Sequence, residues 1–393
     1  MEEKTMERNQ RRYFTWTLLV IFALVFVYFT PLKAQLRTRT EINLPDILGF
    51  KILKCDFHIH TVFSDGRVWP PVRVEEAWLE GLDVIAITDH IEVQPFKEDI
   101  PTNYNRSYEL AKPKADELGI ILIKGIEITR SMPPGHFNAI FLKDADPLDT
   151  PNWRDAIRLA NEQGAFVFWN HPGWKAQAPN GAVWYNEHTE LYEKGWFQGI
   201  EIVNHYSYYP EVFQWALEKN LTILGNSDVH TPIQMSFDLP NGDHRPITLV
   251  FAEKKSKEAI KDALLKGRTA VYYRDKLFGA KKYLEPIFNQ SVFIKNSEVK
   301  VKGKSKINLQ IHNYSDVSFQ LSANGDLAEI SFPGKTTLYS GKTVLLQIQG
   351  KSETLSGTKR VKIPFIVNNL IIAPDQGLPV ELEVEIQFEP DKK

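Results

Sequence analysis

Cysteine is nearly absent from this chain of 393 residues: it has one, Cys55, which excludes an internal disulfide and a thiolate metal cluster. Apolar and alternating residues surround it, so it reads as a small buried strand residue. A surplus of either charge is lacking too. Lysine plus arginine (47) nearly balances aspartate plus glutamate (49), so no overall positive field draws the chain to a nucleic acid backbone, and no nucleic acid partner is expected. No region combines low hydrophobicity with high charge as a long disordered tail would. Also missing is the G-x-G-x-x-G turn that would mark a doubly wound dinucleotide-binding sheet.

What the chain does have is ample core material, 43% hydrophobic and 12% aromatic residues. Its length suits a barrel of roughly 200 to 250 residues with a smaller partner domain. At the N-terminus, Lys4, Arg8, Arg11 and Arg12 precede an apolar run from Tyr13 to Phe29 that gives way to a small residue at Ala34. Residues 1–34 read as an export signal cleaved after Ala34, with a retained membrane anchor as the alternative and a buried soluble helix a distant third. Either of the first two readings puts the catalytic part outside the cytoplasm, periplasmic or extracellular. No cysteine follows the run, so a lipoprotein anchor is excluded.

Short apolar runs then alternate with amphipathic segments, the rhythm of a parallel sheet with crossover helices. Strands are expected at Ile52–His60, Asp83–Thr88, Ile120–Ile128, His136–Leu142, Ala165–Trp169, Gly199–Val203 and Leu221–Gly225. Helices are expected at Val72–Glu80, at Ser107–Leu118 with an interruption at Pro113, at Trp153–Gln163 and at Glu211–Lys219. Seven strands in this order suggest a closed or nearly closed α/β barrel over residues 45–280. From residue 281 to 393 the texture becomes short alternating runs between Gly, Asn, Ser and Pro turns, an antiparallel β-sandwich without clustered catalytic residue types.

Active sites of β/α barrels form at the C-terminal ends of strands, and polar residues fall there in this sequence. Strand one ends in His58 and His60, two apart and so on one side, with Asp65 in the turn beyond. His90 follows strand two, Glu127 closes strand three, His136 opens strand four after Pro133-Pro134-Gly135, His171 closes strand five, and Asp228 and His230 follow strand seven. Each alone would more often be structural. Together, six histidines, two aspartates and one glutamate at strand ends describe a metal site. Ligands of this type suit Zn, Mn or Fe, and nine exceed what one ion needs, so two or three divalent ions are expected with positions left for water and substrate.

The segments CDFHIHTVFSDG, AITDH, GIEIT, NHPGW and GNSDVH resemble, in order, the motifs of the PHP (polymerase and histidinol phosphatase) family, over roughly Phe50–Tyr273. The wording around them and the appended β-domain resemble the exported Sb-PDE type of PHP phosphodiesterase. The resemblance implies a distorted (βα)7 barrel and a trinuclear centre: His58, His60, Glu127 and Asp228 at the first metal, Glu127, His136 and His171 at the second, Asp65, His90 and His230 at the third. It implies a small phosphate ester substrate attacked by a hydroxide held between the ions. Arg130 is the expected phosphate clamp, with Lys175 and Arg106 weaker candidates that serve otherwise as solvated charges. His205 is a candidate substrate contact, and Asp89 either orients a neighbouring histidine or water or is a turn residue. Trp69, Trp174 and Tyr206 lie in loops at the expected mouth, to contact an apolar substrate group or to pack.

Overall fold

The computed structural model describes residues 37–101 and 103–391, together with Met6, Trp16 and Thr17. The export signal or anchor expected over residues 1–34 lies, those three residues apart, outside the described part of the chain.

Seven strands build the barrel, each a short run with nearly every side chain buried. They are β1 (Lys51–Asp56), β2 (Val84–Ile87), β3 (Ile121–Ile128), β4 (Phe137–Ile140), β5 (Phe166–Trp169), β6 (Gly199–Asn204) and β7 (Thr222–Asn226). Pairing is parallel from β1 through β3, and again from β5 through β6 to β7. Strand β4 departs from the expected parallel rhythm, running antiparallel to both β3 and β5. The reason is length: a parallel return needs a crossover of a dozen or more residues, and only the turn containing Pro133-Pro134-Gly135 separates β3 from β4. The reversal places the start of β4, where His136 stands, at the barrel end where the other strands finish.

The ring closes at that same end. Ile59, just past β1, bridges to Val229, just past β7, and the His60 N–H donates to the Val229 carbonyl at 3.1 Å. Lower down, β8 (Ile247–Ala252) lies antiparallel to β1, and its Thr248 hydroxyl bonds Gly225 of β7 at 2.9 Å. The α/β barrel expected from the sequence is thus present, in a distorted seven-stranded form.

Helices cover the outside. The first (Pro70–Leu79) starts on proline, whose missing N–H costs nothing at that position. The second (Arg106–Leu118) ends on left-handed Gly119 and runs through Pro113 without the expected break. Pro113 sits on the solvent face, where water can serve the Glu109 carbonyl that loses its donor.

A helix at Lys281–Ser291 leads into the sandwich. One sheet contains Val292–Ile294, Lys306–Asn313, Thr343–Gly350 and Ile330–Ser331; the other is built on the long hairpin Gly357–Ala373 and Gln376–Glu389. Pairing is antiparallel except where Glu298–Lys302 runs parallel to Gln376–Glu389. Leu277 and Phe278 pair with Leu370 and Ile371, so the second sheet continues the barrel's own hydrogen-bonded sheet. One apolar core, including Phe251, Leu284, Phe288, Phe319 and Ile363, runs through both parts.

Candidate metal centre

All nine expected ligands converge at the closed end of the barrel. Glu127 lies at the middle: its Oε2 is 3.1 Å from His58 Nε2, 3.2 Å from His60 Nε2 and 3.2 Å from His90 Nδ1, and its Oε1 is 2.7 Å from His136 Nδ1. Asp228 Oδ1 is 3.2 Å from His58 Nε2 and 3.1 Å from His60 Nε2. His171 Nε2 is 3.9 Å from both carboxylates. Asp65 Oδ1 is 3.2 Å from His230 Nε2 and 3.4 Å from His90 Nε2. Among the described residues, four groups have ligand atoms mutually close enough for one cation: His58, His60 and Asp228; His58, Glu127 and His171; His90, Glu127 and His136; and His60, Asp65, His90 and His230.

Hydrogen bonds on the outer ring nitrogens aim these imidazoles inward. His58 Nδ1 donates to Glu201 Oε1 at 2.9 Å, and His230 Nδ1 to the Asp228 carbonyl at 2.8 Å, leaving Nε2 of each for the centre. His60 Nδ1 faces the Ser64 hydroxyl at 3.4 Å, and that hydroxyl donates to Asp89 at 2.7 Å. Asp89 also takes the Thr61 N–H at 2.6 Å and hydroxyl at 2.8 Å. It therefore holds the Thr61–Ser64 turn and reaches His60 through Ser64, rather than orienting its neighbour His90.

The donor set fits divalent cations. His58 Nε2 and His60 Nε2, both unprotonated acceptors in a ligand role, face each other at 3.0 Å with carboxylate oxygens on either side. Asp65 Oδ1 is buried without a hydrogen bond. Ligands about 2.1 Å from a tetrahedral ion stand roughly 3.4 Å apart, close to the separations here.

In the metal-free protein, protons do part of the cation's work. Burial disfavours charge on His60, but hydrogen bonds donated to Asp228 and Glu127 win and raise it to about 9. His58 is raised as well, since Asp228, Glu201 and Glu127 outweigh its burial. Burial also opposes charge on Glu127 and Asp228, yet the surrounding histidines hold both well below the carboxylate range. His90 instead drops to about 3, chiefly through burial. Metal must therefore displace protons from His58 and His60, and calorimetry at pH 7 in buffers of different ionisation enthalpy should show about one to two protons released per chain. The sign follows. Apparent affinity should climb with pH and level off above about 9, while the metal-free protein loses the stability of these charged pairs as pH rises through about 9. Pairing without proton release would contradict this protonation pattern.

A cavity of about 500 Å³ opens over the ligands. It brings His205, Trp174 and Tyr206 to the site, with Asn204, Tyr209, Thr231 and Ser236. Arg130, Lys175, Arg106 and Trp69 are not brought to its lining. The Arg130 guanidinium is paired with Glu92 and donates to the Thr150 carbonyl at 2.8 Å, Arg106 pairs with Glu109, Lys175 is exposed, and Trp69 packs on Phe63.

Three contributors escaped the sequence reading. Glu201, fully buried, accepts from His58 and, at 2.8 Å, from the His171 N–H. Arg73 donates to the carbonyls of His60, Val229 and Thr231, tying together the two ligand-bearing loops. Gln177 donates to His136 Nε2 at 3.1 Å. The only available signal for Glu201 was a carboxylate inside an apolar strand. Gly66 is required by close approach, since a Cβ there would lie 2.7 Å from the His60 and Thr61 backbone.

The comparisons agree with this geometry. A family model for an Ig-like domain matches residues 292–383. A solved two-domain protein from Bacteroides vulgatus, described as containing a predicted PHP-like metal-dependent phosphoesterase, is 44% identical, superposes with a TM-score of 0.84, and covers 89% of this chain and 100% of its own. An uncharacterized protein of Methanocaldococcus jannaschii is 42% identical over 82 residues, 21% of this chain and 36% of that protein. A 5'-3' exoribonuclease of Haemophilus influenzae is 34% identical over 76 residues, 19% of this chain and 23% of that protein. With its motifs, barrel and near full-length match to the Bacteroides protein, the chain belongs to the PHP-like metal-dependent phosphoesterases.

Proposed function

We propose that this protein hydrolyses small phosphodiesters outside the cytoplasm, at a centre holding up to three divalent ions. The observation that carries the diester reading is the cavity lining: imidazoles and carboxylates on the ligand side, aromatic and small polar groups elsewhere, and no lysine or arginine among the described residues that line it. A phosphomonoester brings close to two negative charges at neutral pH and one organic group, whereas a diester brings one charge and two organic groups. A cavity without added side-chain cations and with aromatic walls suits the latter. The Haemophilus relative is named for cleaving a phosphodiester backbone, which supports the same bond chemistry here. The near balance of charge speaks against a polynucleotide substrate.

In this reading His58, His60, Glu127 and Asp228 hold one cation, Glu127, His136 and His171 a second, and Asp65, His90 and His230 a third, with zinc, manganese and iron the suitable metals. Such ions, when bound, lower the pKa of water and offset charge on phosphate oxygens. The protein's part is to hold the ligands in place. Glu201, Ser64 and the Asp228 carbonyl set the ring orientations, Arg73 fixes the two loops, and Trp174 and Tyr209 line the cavity above the ligands.

The test compares bis(p-nitrophenyl) phosphate with p-nitrophenyl phosphate in metal-reconstituted protein. The diester should be preferred by about tenfold or more in kcat/KM. Activity confined to the monoester would make this a phosphomonoesterase. If neither is hydrolysed and Asp228→Asn changes nothing, a non-catalytic metal-binding module replaces it.

A further inference from the structure

Resting on the diester reading, we propose that the site selects diesters with two flat, apolar ester groups, one received by Trp174 and the other by the His205–Tyr206 pair. Both Trp174 and Tyr206 are large side chains left 45% and 43% exposed, yet both line the cavity. They flank different parts of the ligand set. The Trp174 ring stands 5.3 Å from His171 and 5.7 Å from His136, centroid to centroid. Tyr206 stacks on His205 at 4.6 Å, and both meet Phe237, just beyond the Ile233–Ser236 turn that follows His230.

The backbone that carries each ring is held in place before any substrate arrives. The Trp174 N–H donates to the His171 carbonyl at 2.9 Å, closing the turn, and Gly173 leaves room for Tyr209, whose ring would lie 2.6 Å from a Cβ at that position. Tyr206 is anchored by its hydroxyl, which donates to the Ser236 carbonyl and lies 3.2 Å from Asp243. His205 is held by its N–H to the Asn226 carbonyl at 3.1 Å with φ of 50°, a left-handed conformation uncommon outside glycine. Its Nδ1 is buried without a hydrogen-bond partner. Exposed rings on a held backbone have few torsions to lose on stacking against a flat group, and they offer an alkyl chain much less.

The experiment keeps the leaving group constant. p-Nitrophenyl phenyl phosphate and p-nitrophenyl ethyl phosphate both take up water and release p-nitrophenolate, leaving phenyl phosphate or ethyl phosphate, so only the retained group differs. Wild-type protein should favour the phenyl diester by about tenfold or more in kcat/KM. Trp174→Ala or Tyr206→Ala should bring that ratio close to unity at unchanged metal content, while Tyr206→Phe, which keeps the ring and loses only its anchoring hydroxyl, should retain a clear preference for the phenyl diester. Equal use of the two diesters by the wild type, or a ratio untouched by both alanine variants, overturns the proposal while leaving the diesterase reading intact. If neither diester reacts but p-nitrophenyl phosphate does, both fail together.

Discussion

Glu127→Gln will give a folded protein that has lost tightly held metal and has phosphoesterase turnover lower by about a thousandfold or more. Glu127 has its oxygens within 3.2 Å of ring nitrogens of His58, His60, His90 and His136, and it belongs to two of the four candidate ligand groups found among the described residues. A carboxylate there can serve two cations at once through its two oxygens. An amide cannot, because it is neutral and offers one acceptor with a donor in place of the other. Folding should survive, since the loss of one negative charge is met by release of a proton: His60, held near 9 partly by Glu127, falls back toward its ordinary value. The measurements are metal content after dialysis, far-UV circular dichroism and hydrolysis of a chromogenic ester. Full metal content with turnover within about threefold of wild type would remove Glu127 from the ligand set.

Glu201→Gln should weaken metal binding by about 10- to 100-fold although Glu201 belongs to none of the ligand groups. Its two oxygens accept four donors: His58 Nδ1 and Asn226 Nδ2 on Oε1, both at 2.9 Å, and the His171 N–H at 2.8 Å and Asn204 Nδ2 at 2.9 Å on Oε2. A glutamine turns one of those acceptors into a donor facing two other donors. Either His58 and Asn226 or His171 and Asn204 then lose their partner, at roughly 1–3 kcal/mol for each buried group left unsatisfied. A metal titration and the melting temperature of metal-free protein report the two effects separately. Affinity within twofold of wild type would show that the orientation of His58 does not depend on this carboxylate.

Much of the site could be read from the chain because its ligands follow the period of the elements that carry them. His58 and His60 are two apart and emerge on one side, with their Nε2 atoms 3.0 Å from each other. His90, Glu127 and His171 fall where apolar runs stop, and those runs are legible by composition alone. Barrel strands were found to within a residue or two at most ends, but His58 and His60 lie beyond β1, which finishes at Asp56. The reversal of β4 was missed because an apolar run carries no sign of direction. So was β8, whose residues Ile247–Ala252 look like any buried run and become a barrel element only by pairing with β1.

The substrate side was less legible, for a physical reason. Arg130 is adjacent in sequence to the ligand region, but a long cationic side chain goes where its best partner is, and Glu92 together with the Thr129 and Thr150 carbonyls claims it. Of the three aromatics expected at the mouth, Trp174 and Tyr206 line the cavity, whereas Trp69 packs against Phe63. Nothing in local sequence separates an aromatic that packs from one that lines a cavity.

By itself, then, the sequence determined the inventory of candidate ligands, the barrel that presents them and the sandwich that follows, because residue type and hydrophobic period are local properties of the chain. The tertiary structure alone decided that Glu127 sits at the middle of the cluster, that Glu201, Ser64 and Arg73 hold the ligands from behind, and that no lysine or arginine among the described residues lines the cavity. Those relations include one across four positions, Ser64 to His60, and one across 156, Arg73 to Val229, and they are fixed by which buried donor finds which acceptor once the barrel has closed.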